Sequence, residues 1–376
     1  MWDTQTVALV AHNLPPGRDG YTIMLSELFA ALPEDQLALV GIGGGPWGSR
    51  VRVPLPFLRQ PSRQSESVLA ASVMAATRYL GPSVLRRLFP NIRRIFATLD
   101  PTMIVAERWA RATGADLWVY GIDLHASTFW GAGSFLQGTL ARWRRQTLGR
   151  ASRCFGLSPR MNEWMRADGA AGQVELLPPL INIDSIGPVP IPEGQRSLLF
   201  VGWLYQAQGK ALAWLQRAVA EITPDIELRL LTHMKPADVA AMGLDPARWS
   251  IKSVPPEQVM AEVASATCVI AALDPEALNR APLQVVWPTK LREYLSVGRP
   301  VLCIAPPDYG IVDIAIQGGW GLVANDEAST RAAVERLARS SNADLRAWSQ
   351  AAFAFAVKYM NNRTTGAEFR RAVLAP

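Results

Sequence analysis

Residues 288–302 read PTKLREYLSVGRPVL and hold one of only five lysines among the 38 basic side chains of the sequence. Pro288 and Thr289 predict a helix entry, so Lys290 falls in the first turn, where unpaired backbone N–H groups and the helix dipole already favour an anion. A lysine there makes a phosphate site. Glu293, three residues on, lies near the same face and can accept hydrogen bonds from sugar hydroxyls. The same residues also allow a purely architectural reading, in which Glu293 closes a capping box with Thr289 and Lys290 is a solvated charge.

Two further groups have the chemistry to move protons or hold hydroxyls. Asp123 and His125, in YGIDLHAST, follow an apolar strand-like run, and either can take a proton from an acceptor hydroxyl. A strand-end aspartate also commonly caps a turn, and a lone histidine is commonly structural. His12, Gly17, Arg18, Asp19 and Gly20 form a loop after the first predicted strand; its glycines let backbone approach a ligand, and Arg18 or Asp19 can contact hydroxyls or phosphate. The segment lacks the GxGxxG dinucleotide fingerprint. Cys154, Cys268 and Cys303 lie far apart in apolar surroundings and read as buried thiols, and His233 reads as structural.

The elements that position these groups alternate in type. TVALVAH (6–12), LALVGIGGG (37–45), TMIVAE (102–107), DLWVYGID (116–123) and RCFGLS (153–158) read as strands with helical stretches between most of them. After the proline-rich segment 178–195 the pattern restarts with SLLFVGW (197–203), ELRLLTH (227–233), TCVIAAL (267–273) and RPVLCIA (299–305). This predicts an α/β protein of two Rossmann-like doubly wound domains: residues 1–185 on the acceptor side, a linker at 186–196, and 197–376 on the donor side, with the last helix crossing back to the first domain. Ligands in such sheets bind outside the carboxyl ends of the strands, so chemistry is expected in the cleft between the domains.

At 376 residues and 49% hydrophobic composition, the chain can build two cores. Its formal charge of +6 is uneven: nine arginines stand between Arg50 and Arg94 against one acid, Glu66. That arginine-rich region, 50–94, is expected to meet an anionic membrane surface rather than nucleic acid. LRRLFPNIRRIF (85–96) spaces its apolar residues on one helical face, for a membrane surface or for the protein's own core. No transmembrane segment or secretion signal is recognisable, which predicts a cytoplasmic protein, peripheral at the inner face of the membrane.

PTKLREYLSVGRPVL resembles the nucleotide-sugar-binding segment of GT-B glycosyltransferases, especially the family-4 group that assembles bacterial polysaccharides and glycolipids. The likeness extends through LLFVGWLYQAQGKALAWL (198–215), the opening strand of the donor domain, through 249–273, leading to the base-binding loop, and through GLSPRMNEWM and LPPLINID in 156–184. The resemblance implies the GT-B fold, with Gly202, Lys210, Val254, Thr289, Lys290, Glu293, Tyr309 and Gly310 binding the donor, and Glu293 holding its ribose. The family's first glutamate is replaced by Val285, and its diphosphate-binding arginine and lysine by Trp203 and Gln208, with Lys210 displaced by two residues. AHNLPPGRDGYTIMLSEL, WVYGIDLHAST and PTKLREYL also resemble the glucuronosyltransferases of xanthan assembly, which implies Asp123 as catalytic base. In a retaining enzyme His125 would instead orient the sugar.

The function expected is a glycosyltransferase moving a sugar from a UDP- or GDP-type donor to a hydroxyl of a glycan or lipid-linked acceptor in cell-surface polysaccharide biosynthesis. No cofactor is expected, and no metal, because lysine can supply the charge a divalent ion would. Two other functions fit the same architecture: a nucleotide-sugar 2-epimerase-like isomerase, and a non-catalytic nucleotide-sugar or glycan-binding protein.

Overall fold

The structure, a computed structural model, describes residues 4–17, 20–42, 48, 50–54, 81–100, 102–122, 136–185, 187–223, 225–274 and 280–375. The chain divides into two compact units, Met1–Leu180 with Asn362–Pro376, and Ile181–Asn361.

The first unit is built on seven parallel strands, β1 (Val7–Asn13), β2 (Leu37–Ile42), β3 (Val51–Pro54), β4 (Arg94–Thr98), β5 (Asp116–Gly121), β6 (Arg153–Gly156) and β7 (Gln173–Leu176), in the order β3-β2-β1-β4-β5-β6-β7. The second has six, β8 (Ser197–Val201), β9 (Glu227–Leu231), β10 (Ser250–Lys252), β11 (Cys268–Ala272), β12 (Val301–Ile304) and β13 (Gly321–Ala324), ordered β10-β9-β8-β11-β12-β13. Strand order therefore reverses between β1 and β4 in one sheet and between β8 and β11 in the other, and such switch points open the crevices where doubly wound sheets bind ligands. The central strands are buried on both faces, which is why they read as unbroken apolar runs rather than alternating ones.

Two expectations exchange places. TMIVAE is not a strand: Met103–Thr113 is a helix, closed by Gly114 in the left-handed conformation. The strand of this region is RIFAT, 94–98, which the spacing within 85–96 assigned to a helical face. Helix 81–88 stops before Pro90, whose missing N–H and ring cannot continue it. Leu85, Phe89, Ile92, Ile95 and Phe96 are all buried in the first unit, so the apolar stripe belongs to its core, while Arg86, Arg87 and Arg93 are exposed. No helix among the described residues is long and apolar enough to cross a membrane.

The carboxyl-terminal helix Ala367–Leu374 belongs to the first unit. Phe369 packs edge-on against Phe29 and Phe96, with ring centroids 5.7 and 5.4 Å away, and Arg94 Nη1 donates to the carbonyls of Ala372 and Val373. The proline-rich segment after Ile181 is laid onto the second unit. Val189 N–H donates to Val297 O, and the buried Arg299 guanidinium donates to the carbonyls of Val189 and Pro190. Gly298, at φ +69°, leaves room for this, because a Cβ there would lie 2.4 Å from Pro188 Cβ. Cys154, Cys268 and Cys303 are free and buried, and burial pushes each thiol up to about 12.

Candidate functional site

The segment 287–296 is fixed from beneath by aromatic packing. Trp287 is buried and stacks on Phe355 at 6.1 Å, and Phe355 in turn packs on Trp320 and Tyr359. From this base the segment reaches the carboxyl end of β8 twice. Tyr294 Oη accepts from Val201 N–H at 3.1 Å, and Lys290 Nζ donates to Val201 O at 2.5 Å while lying 5.8 Å from the Phe200 ring centroid. The amine fills the space beside Gly202. A Cβ on Gly202 would stand 1.2 Å from Nζ, and the residue has φ +114°, so glycine is required twice over. Lys290 and Gly202, 88 positions apart in sequence, thus form one site.

Burial lowers Lys290 from its usual range to about 8, against the pull of the nearby Glu293. Glu293 Oε1 accepts from Arg292 Nε at 2.8 Å, and Oε2 is buried with no hydrogen-bond partner among the described residues. Burial raises the Glu293 carboxyl, with Arg292 opposing. The capping box with Thr289 does not form. Lys290 also sits one residue ahead of helix Leu291–Ser296 rather than in its first turn, and the N–H groups of Leu291 and Arg292 are bonded to the carbonyls of Pro288 and Thr289. The anion-attracting feature here is the amine itself, not open backbone donors.

The start of helix Gln206–Ile222 is occupied from within. Asp274, just past β11, accepts from Lys210 N–H at 3.0 Å and Ala211 N–H at 2.7 Å, and its own N–H donates to Ala207 O. Tyr309 is fully buried and donates through Oη to Asp274 O at 3.2 Å; Gly310 follows it as the first residue of helix Gly310–Gly318. Asp274 therefore ties together the loops after β8, β11 and β12, a role that sequence reasoning missed. Its only signal is an acidic residue closing the run TCVIAALD. Lys210 Nζ lies 5.7 Å from the Trp214 ring centroid, further along the helix. Gln208 Oε1 accepts from Tyr205 N–H, which makes Gln208 a helix-capping residue. Val254 is buried in the loop after β10.

In the first unit the organising group is Asp100, also missed, which stands just past β4. Its Oδ2 accepts from His12 N–H (3.0 Å) and Tyr21 Oη (2.6 Å), and its Oδ1 from Thr102 N–H (2.8 Å) and Thr102 Oγ1. Burial, then the Asp100 charge, drives the Tyr21 phenol well above its usual range. This fixes His12 at the end of β1 against helix Gly20–Phe29, which begins at Gly20; Gly17 is exposed in the loop between them. Arg18, Asp19, Asp123 and His125 lie outside the described residues.

No known family's sequence profile matches the chain, and no curated protein matches it. Solved structures do. Sucrose-phosphate synthase from Thermosynechococcus elongatus superposes with a TM-score of 0.69 at 15% identity, over 98% of each chain. HepE of Anabaena, in complex with UDP and glucose, gives 0.64 at 14% identity over 99% of this chain and 100% of that one. The lipopolysaccharide outer core galactosyltransferase WaaB gives 0.65 at 12% identity over 98% and 99%. The strand orders of the two sheets and these superpositions over nearly the whole chain give the protein the GT-B fold.

Proposed function

We propose that the protein is a glycosyltransferase that moves a sugar from a nucleoside-diphosphate donor to a hydroxyl of a glycan or lipid-linked acceptor, in cell-surface polysaccharide biosynthesis. The observation that carries this reading is the half-buried Lys290 amine seated at Gly202, with Glu293 close enough to act on its charge and holding a buried Oε2 without a partner. A half-buried ammonium meets a diphosphate, and a buried acceptor oxygen meets a ribose hydroxyl. HepE, which shares the fold, binds UDP.

In the proposed reaction the acceptor oxygen bonds to the anomeric carbon as the bond from that carbon to the diphosphate oxygen breaks. The acceptor proton passes to Asp123, and the nucleoside diphosphate leaves with its charge against Lys290. Stabilising developing charge with a preorganised cation is commonly the largest single catalytic contribution, so no metal is assigned. His125 and the loop His12–Gly20 are proposed on the acceptor side, and exposed Arg86, Arg87 and Arg93 support contact with an anionic membrane surface on the cytoplasmic side.

A thermal-stability screen of UDP, GDP and their sugars tests the donor assignment. A ligand at 100 times its Kd adds about 2.7 kcal/mol to stability. One nucleotide class is expected to raise Tm by several degrees; no shift with any of them would contradict the assignment.

A further inference from the structure

The turn after β8 carries two aromatic side chains that the site above does not use. Trp203 is 52% exposed and Tyr205 62%, whereas Leu204 between them is fully buried, its N–H directed at Met234 Sδ. Both rings stand in the three-residue link between Gly202 and helix Gln206–Ile222, which the buried Leu204 anchors. Trp203 directly follows Gly202, which lies against the Lys290 amine. It also stands where the family has an arginine: an apolar ring replaces a cation at the mouth of the site.

Resting on the donor reading above, we infer that Trp203, extended by Tyr205, is the platform for the transferred sugar, and that this sugar is a neutral pyranose. The order of groups along the site supports the assignment. The Lys290 side chain runs from the helix bearing Glu293 to the strand end bearing Gly202 and Trp203. If Glu293 takes the ribose and Lys290 the diphosphate, the next group of the donor beyond the diphosphate is the sugar, and the next side chain beyond Lys290 is Trp203. An exposed aromatic face suits the C–H face of a pyranose and offers nothing to a carboxylate. In the donor reading Lys290 is already committed to the diphosphate.

The test compares Kd values by calorimetry for UDP and GDP with those for UDP-glucose, UDP-galactose, UDP-N-acetylglucosamine, GDP-mannose and UDP-glucuronate. Wild type is expected to bind at least one neutral nucleotide sugar about tenfold more tightly than its nucleotide, and UDP-glucuronate with no such gain. Trp203→Ala should reduce that ratio to near one while changing the Kd of the bare nucleotide less than about twofold, and Trp203→Phe should retain most of it. Because Trp203 is half exposed, an unchanged Tm in the variants establishes that the fold is intact. A ratio unaltered by Trp203→Ala, an equal loss for nucleotide and nucleotide sugar, or a gain confined to UDP-glucuronate would overturn the inference and leave the donor site standing. Wild type that binds no nucleotide would remove the donor reading, and the inference with it.

Discussion

Lys290 is held in conflict with its surroundings: burial disfavours its charge, yet its position is useful only when charged. With its pKa lowered to about 8, the amine is cationic at pH 7 and loses its proton as the pH rises through 8. Nucleoside-diphosphate affinity should accordingly be flat from pH 6.5 to about 7.5 and fall by about tenfold for each pH unit well above 8. Calorimetric titrations across pH 6.5–9.5 measure this, and Lys290→Ala should flatten the profile. A wild-type affinity constant to pH 9.5 would show that the amine does not meet the anion. Glu293 complements it. Its Oε1 is taken by Arg292 and its Oε2 is buried without a partner, an arrangement that costs stability unless a ligand hydroxyl fills it.

The end of β8 decides whether the amine has a place to sit. Gly202→Ala combines a left-handed alanine, about 1–2 kcal/mol, with a methyl group in the position of Lys290 Nζ. Gly243→Ala is the control, since Gly243 has φ +83° and open space around it. Both variants should lose similar stability by urea unfolding, but only Gly202→Ala should weaken nucleotide binding, by tenfold or more; equal affinities in the two would contradict the placement of the amine. Much at this scale was readable beforehand. Strands such as SLLFV and CVIAA, flanked by turns, admitted one assignment, and the spacing within PTKLREYL singled out Lys290 and Glu293 as candidates. RIFAT and TMIVAE did not, because short apolar runs that are buried satisfy helical and extended periods alike. What separated them was Pro90 and the Asp100 side chain, which accepts from Thr102 N–H at the start of helix Met103–Thr113.

Asp100 and Asp274 show the limit of reading the chain as a line. Each gathers loops from distant strands, and nothing in the local spacing of an acidic residue reveals which backbone amides will come to it. For the whole molecule, the charge pattern is the property that sequence reports directly. With its excess of arginine in the first half and Arg86, Arg87 and Arg93 exposed, the protein should adsorb to phosphatidylglycerol vesicles but not to phosphatidylcholine vesicles. Sedimentation should show adsorption falling as ionic strength rises from about 0.01 to about 1 M, over which the screening length shrinks from about 30 to about 3 Å. The triple variant Arg86→Glu, Arg87→Glu, Arg93→Glu should bind less, and adsorption insensitive to salt would contradict an electrostatic origin.

The central claim is that one half-buried amine neutralises the diphosphate of a nucleotide donor, and its most direct test is the Kd of UDP and GDP for wild type and Lys290→Ala, by calorimetry at pH 7. Weakening by at least about tenfold, equivalent to about 1.4 kcal/mol, in a variant whose far-ultraviolet dichroism is unchanged, is the predicted result. Equal affinity in the two proteins would contradict the account.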